Sequence, residues 1–86
     1  MLFVSRESAT FFYVKRQVEA ACDLAFGPGR MRVRVIDIAD RPDLAEKHNI
    51  EALPTVIAGT RRFIGVPVAE NLAAFLGSLP PTDKIS

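Results

Sequence analysis

Residues 30–38 read RMRVRVIDI, and this alternation constrains the fold more than any other stretch of the chain. Successive side chains of an extended chain point to opposite faces, so Met31, Val33 and Val35 share one side and Arg30, Arg32 and Arg34 the other. A helix would scatter both sets around its circumference. The stretch is predicted to be a strand with one apolar and one cationic face. Such a strand suits a sheet edge, where arginines stay solvated and discourage edge-to-edge pairing.

The segments on either side extend the argument. Leu2-Phe3-Val4 is a short apolar run that breaks into Ser5, Arg6, Glu7 and Ser8, and it reads as a buried strand. Phe11, Val14, Val18, Ala21 and Ala25 then recur at helical spacing, which predicts a helix over roughly residues 9 to 26. Ser8 is the expected N-cap, and Gly27-Pro28-Gly29 the stop. Strand, helix and strand in this order predict a right-handed βαβ unit.

Downstream, Asp40-Arg41-Pro42-Asp43 has the make-up of a helix start: a capping carboxylate, a proline in the first turn and a second acid near the positive end of the dipole. A short helix through Leu44 to about His48 follows, closed by Asn49. Two apolar runs around Ala58-Gly59-Thr60, ending in Arg61-Arg62-Phe63-Ile64, predict a β-hairpin. A last helix is expected over Val68 to Leu76, with Val68, Leu72, Phe75 and Leu76 inward and Gly77 as its stop.

Composition narrows the function. With 86 residues, 49% hydrophobic and 24% charged, the chain fits one small folded domain, predicted over residues 1–79 with a flexible tail over 80–86. A net charge of +1 gives no broad attraction to nucleic acid or anionic membrane. No apolar run approaches the ~20 residues of a membrane helix and no signal peptide is apparent, which predicts a cytoplasmic location. Cys22 is the single cysteine and His48 the single histidine, so a disulfide framework and a thiolate-rich metal site are both excluded.

The order βαβαββα, with a four-stranded mixed sheet flanked by helices and Leu53-Pro54-Thr55 opening the third strand, resembles the thioredoxin-like arrangement. Pro54 then stands at that fold's cis-proline turn, so the Leu53–Pro54 bond is expected to be cis. A closer resemblance runs along nearly the whole chain. Val35-Ile36-Asp37-Ile38, Arg41-Pro42-Asp43-Leu44-Ala45-Glu46, Ile50-Glu51-Ala52-Leu53-Pro54-Thr55 and Arg61-Arg62-Phe63-Ile64-Gly65 together, in that order, look like the KaiB family of circadian-clock proteins and related domains.

That resemblance implies a protein-binding module without catalysis or cofactor, whose partner is a KaiC-type ATPase or a signalling kinase. Clock KaiB switches between a ground-state fold and a thioredoxin-like fold. Here the segment between Thr55 and Arg61 is shorter than in clock KaiB, and Val66-Pro67 replaces the acidic residue and polar helix start that usually follow the glycine. Both differences favour a permanent thioredoxin-like fold.

Residue chemistry agrees with a non-catalytic role. Ser5 and Ser8 lie near the place of a Cys-x-x-Cys pair, yet a hydroxyl cannot replace an attacking thiolate without an adjacent base. Cys22 falls on or beside the apolar stripe in mid-helix, which suits an inert thiol. His48 ends a short helix, where a positive charge complements the dipole. Arg30, Arg32 and Arg34, with Arg61 and Arg62, are the candidate protein-binding residues: an edge strand can accept a partner's strand while arginines orient its acidic groups. The alternative from another class is a thioredoxin- or glutaredoxin-related redox or glutathione-linked enzyme, using Cys22 or a site beside Pro54. A further alternative is a self-associating structural domain. Nucleic-acid binding is disfavoured, because aromatic and basic residues do not interleave on one face.

Overall fold

The computed structural model describes residues 1–78, so the tail expected over 80–86 lies outside the described residues. The elements run β1 (Leu2–Val4), α1 (Phe11–Phe26), β2 (Val35–Asp37), α2 (Pro42–Lys47), β3 (Thr55–Ala58), β4 (Arg61–Ile64) and α3 (Ala69–Gly77). The four strands form one mixed, open sheet in the order β2-β1-β3-β4. β1 pairs parallel with β2, while β3 runs antiparallel to both β1 and β4. The chain is therefore an α/β fold whose two exposed edges are β2 and β4. No helix among the described residues is long and apolar enough to cross a membrane.

Strand parity divides the core in two. Leu2, Val4, Val56 and Ala58 point to one face, where Val14, Val18 and Ala21 of α1 and Leu72 and Leu76 of α3 cover them. Phe3, Ile36 and Ile57 point to the other, against Leu44 of α2 and Ile38 and Ile50 beside it. α1 and α3 supply five of these buried side chains, whereas α2 buries none of its own completely. Helical spacing explains the contrast: α1 spans 16 residues and can lay a long stripe on the sheet, and the six residues of α2 cannot.

Several local expectations need correction. The ladder of β2 begins at Val35, not Arg30, because its partner β1 supplies just three residues and Leu2 pairs with Val35. α1 begins at Phe11, so Ser8 is not its N-cap. Ser8 instead closes the preceding turn: its Oγ lies 2.9 Å from Thr10 Oγ1 and accepts the Thr10 N–H, while its carbonyl accepts the Phe11 N–H at 3.1 Å. Asp40 does not cap α2; Arg41 holds the cap position, and the Asp40 carboxylate lies 3.7 Å from Arg6. Val68 is extended and exposed before α3, not part of its inward stripe, because Pro67 fills the buried position beside it.

Turn chemistry follows the sequence closely. The β3–β4 hairpin turns through Gly59-Thr60, with Gly59 at φ 61°, a region that costs glycine nothing. Asn49 takes φ 56° as the chain leaves α2, one of the few side chains that tolerate the left-handed region. The Leu53–Pro54 peptide bond is cis.

Candidate functional site

Arg30, Arg32 and Arg34 occupy the extended chain that leads into β2. Their neighbours Met31, Val33 and Val35 are half-buried against the α1 side of the core, and the three arginines are exposed. Ile36, in the strand itself, packs on the opposite face with Phe3 and Ile57, while the Arg30 side chain lies alongside Gly27 at the end of α1. The turn at Gly27 (φ 97°) and Gly29 (φ 70°) sends the chain back from α1 into this position. It is held by Arg30 N–H to the Gly27 carbonyl at 3.3 Å and by Leu2 N–H to the Arg34 carbonyl at 2.8 Å. Between these two anchors, no hydrogen bond from the described residues engages the backbone of Met31, Arg32 or Val33.

Among the described residues, no ion pair or side-chain hydrogen bond occupies Arg30, Arg32 or Arg34. A groove of about 460 Å³ runs along the α1 side of this edge. Leu2, Met31, Val33 and Val35 form its apolar lining, Lys15, Glu19 and Asp23 of α1 form the opposite wall, and Arg32 borders it as well. Spacing of four residues puts those three charges in one row along the helix. Asp23 also accepts the Gly29 N–H at 3.3 Å, which ties the end of α1 to the turn. Among the described residues, the segment thus offers unpaired backbone groups and unpaired arginines beside a groove with an apolar floor and a charged wall.

Arg61 and Arg62 belong elsewhere. They lie on β4, at the edge opposite β2, so the five arginines do not form one surface. Sequence order placed both groups on strands but carried no information about which strands lie between them. Arg62 is moreover engaged: its guanidinium donates to the carbonyls of Asn49 (3.2 Å) and His48 at the C-terminal end of α2. There it supplies the positive charge that a helix end attracts, the part expected of His48. The His48 ring instead sits 5.7 Å from the ring of Phe3 in a tilted contact.

A second concavity, about 280 Å³, brings Ser5 and Ser8 beside Pro54, with Phe11, Leu53 and Val66 as apolar walls. No thiol lines it. Cys22 is buried on the core-facing side of α1, and burial is the main cause that pushes its thiol pKa upward, helped by the negative charge of Asp23. A thiol in that state is a poor nucleophile. Among the described residues there is no group of three or more His, Cys, Asp or Glu side chains that could hold a metal ion.

Asp37 is the residue that sequence reasoning passed over. It ends β2 buried, and its carboxylate accepts the N–H of Ala39 at 2.8 Å and of Arg6 at 3.2 Å. One side chain therefore fixes the loops after both parallel strands. The available signal was a lone acid closing an apolar strand just before a helix start, which is the pattern of an Asx turn. No family model matches the chain, and no curated protein matches it significantly.

Proposed function

We propose that this chain is a KaiB-like, non-catalytic protein-interaction module in a thioredoxin-like arrangement, and that it binds a KaiC-type ATPase or a signalling kinase through the β2 edge. The carrying observation is the stretch from Arg30 to Arg34: three exposed arginines, on a segment whose central backbone groups and whose guanidinium groups have no partner among the described residues. An open edge of this kind accepts a strand by main-chain hydrogen bonds, and arginine forks give it acidic selectivity. The element order βαβαββα, the cis Leu53–Pro54 bond at the start of β3 and the plain two-residue hairpin turn support the fold part of the proposal. The burial of Cys22, which raises its thiol pKa, and the lack of a thiol beside Pro54 argue for binding over thiol exchange.

The test is affinity capture from native lysate with and without ATP, comparing the natural chain with Arg30→Glu/Arg32→Glu/Arg34→Glu. An ATPase or kinase retained by the first and lost by the second is the expected result. Turnover of a disulfide or glutathione substrate that vanishes in Cys22→Ser would overturn the non-catalytic reading.

A further inference from the structure

The outer face of α1 carries large apolar side chains that the fold leaves uncovered. Tyr13 is 48% exposed and Leu24 64%, whereas the inward stripe of the same helix is buried at Val14, Val18, Ala21 and Cys22. Spacings of seven and four residues place Tyr13, Ala20 and Leu24 within an arc of about 40° on the helix surface. α3 borders this arc on one side, where the Ala69 N–H donates to Gln17 Oε1 at 2.9 Å. On the other side stand Arg16 and Asp23, seven residues apart and so nearly in line along the helix. Arg16 is exposed and has no ion pair or hydrogen bond among the described residues. Asp23 is exposed as well and uses one carboxylate oxygen to accept the Gly29 N–H.

Going beyond the partner-binding reading, we infer that this face is an interface between two copies of the chain, with their α1 helices packed antiparallel about a two-fold axis midway between Tyr13 and Leu24. A two-fold contact is self-complementary, so each residue must suit what the same helix offers at the mirrored position. Tyr13 of one copy meets Leu24 of the other, and this happens at both ends. The small side chain of Ala20 lies near the crossing and lets the helices approach closely. Arg16 falls opposite the other copy's Asp23, which forms the same ion pair twice. A parallel pairing would set Arg16 against Arg16 and Asp23 against Asp23, so charge selects the antiparallel arrangement. One charge of each sign beside the arc likewise disfavours a surface of a single sign as the occupant. One helix face is smaller than a standard stable interface, so the dimer is weak and forms at high concentration.

Sedimentation equilibrium of the full chain over a wide concentration range tests this. The natural chain is expected to pass from monomer to dimer as concentration rises. Leu24→Glu, at a position the core does not use, should weaken the dimer by roughly tenfold or more. Arg16→Glu and Asp23→Lys should each weaken it, and Arg16→Glu/Asp23→Lys together should restore it, because the exchange reinstates both ion pairs. Restoration separates the ion pair from the turn: a loss caused only by freeing the Gly29 N–H would persist in the double variant. Arg61→Glu, on β4, should leave the dimer unchanged.

A chain that stays monomeric at every concentration overturns the inference. So does a dimer that Leu24→Glu leaves intact, or a double variant as weak as either single one. A dimer dissociated by Arg32→Glu and indifferent to Leu24→Glu would overturn it in favour of contact at the β2 edge. Capture of an ATPase or kinase is read separately, through Arg30, Arg32 and Arg34, and neither result decides the other.

Discussion

The two edges of the sheet carry the same residue type at similar exposure and use it differently. At β4, Arg62 reaches back to the end of α2 and closes carbonyls that the helix leaves open. On the segment leading into β2, Arg30, Arg32 and Arg34 have no hydrogen bond or ion pair among the described residues and stand along a backbone stretch likewise without partners there. Exposure does not separate Arg62 from that row; hydrogen-bond partners do, and Arg61, with none among the described residues, resembles the row. An exposed arginine with satisfied donors belongs to the fold, and a row of them with none points toward something outside it.

The widest separation between the edges is expected in binding. Reversing Arg30, Arg32 and Arg34 to Glu replaces three attractions by three repulsions and should weaken binding of an acidic peptide such as octaglutamate at least a hundredfold, about 2.7 kcal/mol. Arg61→Glu, on the far edge, should change the same affinity less than threefold. Anisotropy titrations at two salt concentrations would check both, since interactions of exposed charges weaken as salt screens them. Comparable losses from the two edges would erase the distinction.

Stability should separate them in the opposite sense. Removing the Arg62 guanidinium in Arg62→Met leaves the carbonyls of His48 and Asn49 to water and is expected to cost about 1 kcal/mol, the scale of one net hydrogen bond plus a helix-end charge. Arg32→Met should stay within about 0.5 kcal/mol, as surface changes without partners do. For a domain of this size, a 1 kcal/mol loss lowers the thermal midpoint by roughly 4–8 °C, well within calorimetric reach. An Arg32 variant as destabilised as the Arg62 variant would mean that the β2 arginines also hold the fold together.

How much of this was legible depends on range. The helical stripe of α1, the glycine-bearing hairpin turn and Asn49 leaving α2 are local signals, and the chain obeys them. Strand alternation gave the correct parity of Met31, Val33 and Val35, yet the strand itself starts later, because its length is set by the three residues of β1 and not by its own pattern. Arg62 could not be read at all. Its partners lie 13 and 14 residues away and come within reach only once α2 and the hairpin are folded on the same face of the sheet. Asp37 was half legible: its place in the VID run was plain, but the Arg6 N–H it accepts lies 31 residues upstream, across the parallel pair. The arginine site was visible as a row, and its division from Arg61 and Arg62 required the strand order.

The smallest expected effect probes what lies beneath the β2 edge. Cys22 borders a space of about 40 Å³ together with Met31 and Val33, so its thiol is covered by the same segment that lacks backbone partners. Burial raises its pKa above the ordinary 9.0, and the sign of the linkage follows: the folded chain keeps a proton that the unfolded chain has released. This contribution to stability is fully present below pH 9 and is lost as pH rises toward the folded value. The stability difference between the natural chain and Cys22→Ala should therefore be flat from neutral pH to about pH 9 and then narrow. Labelling of Cys22 by a thiol reagent should be slow at neutral pH, because the thiol is buried beneath Met31 and Val33. Labelling at the speed of a free thiol would mean that the segment leading into β2 opens as a whole.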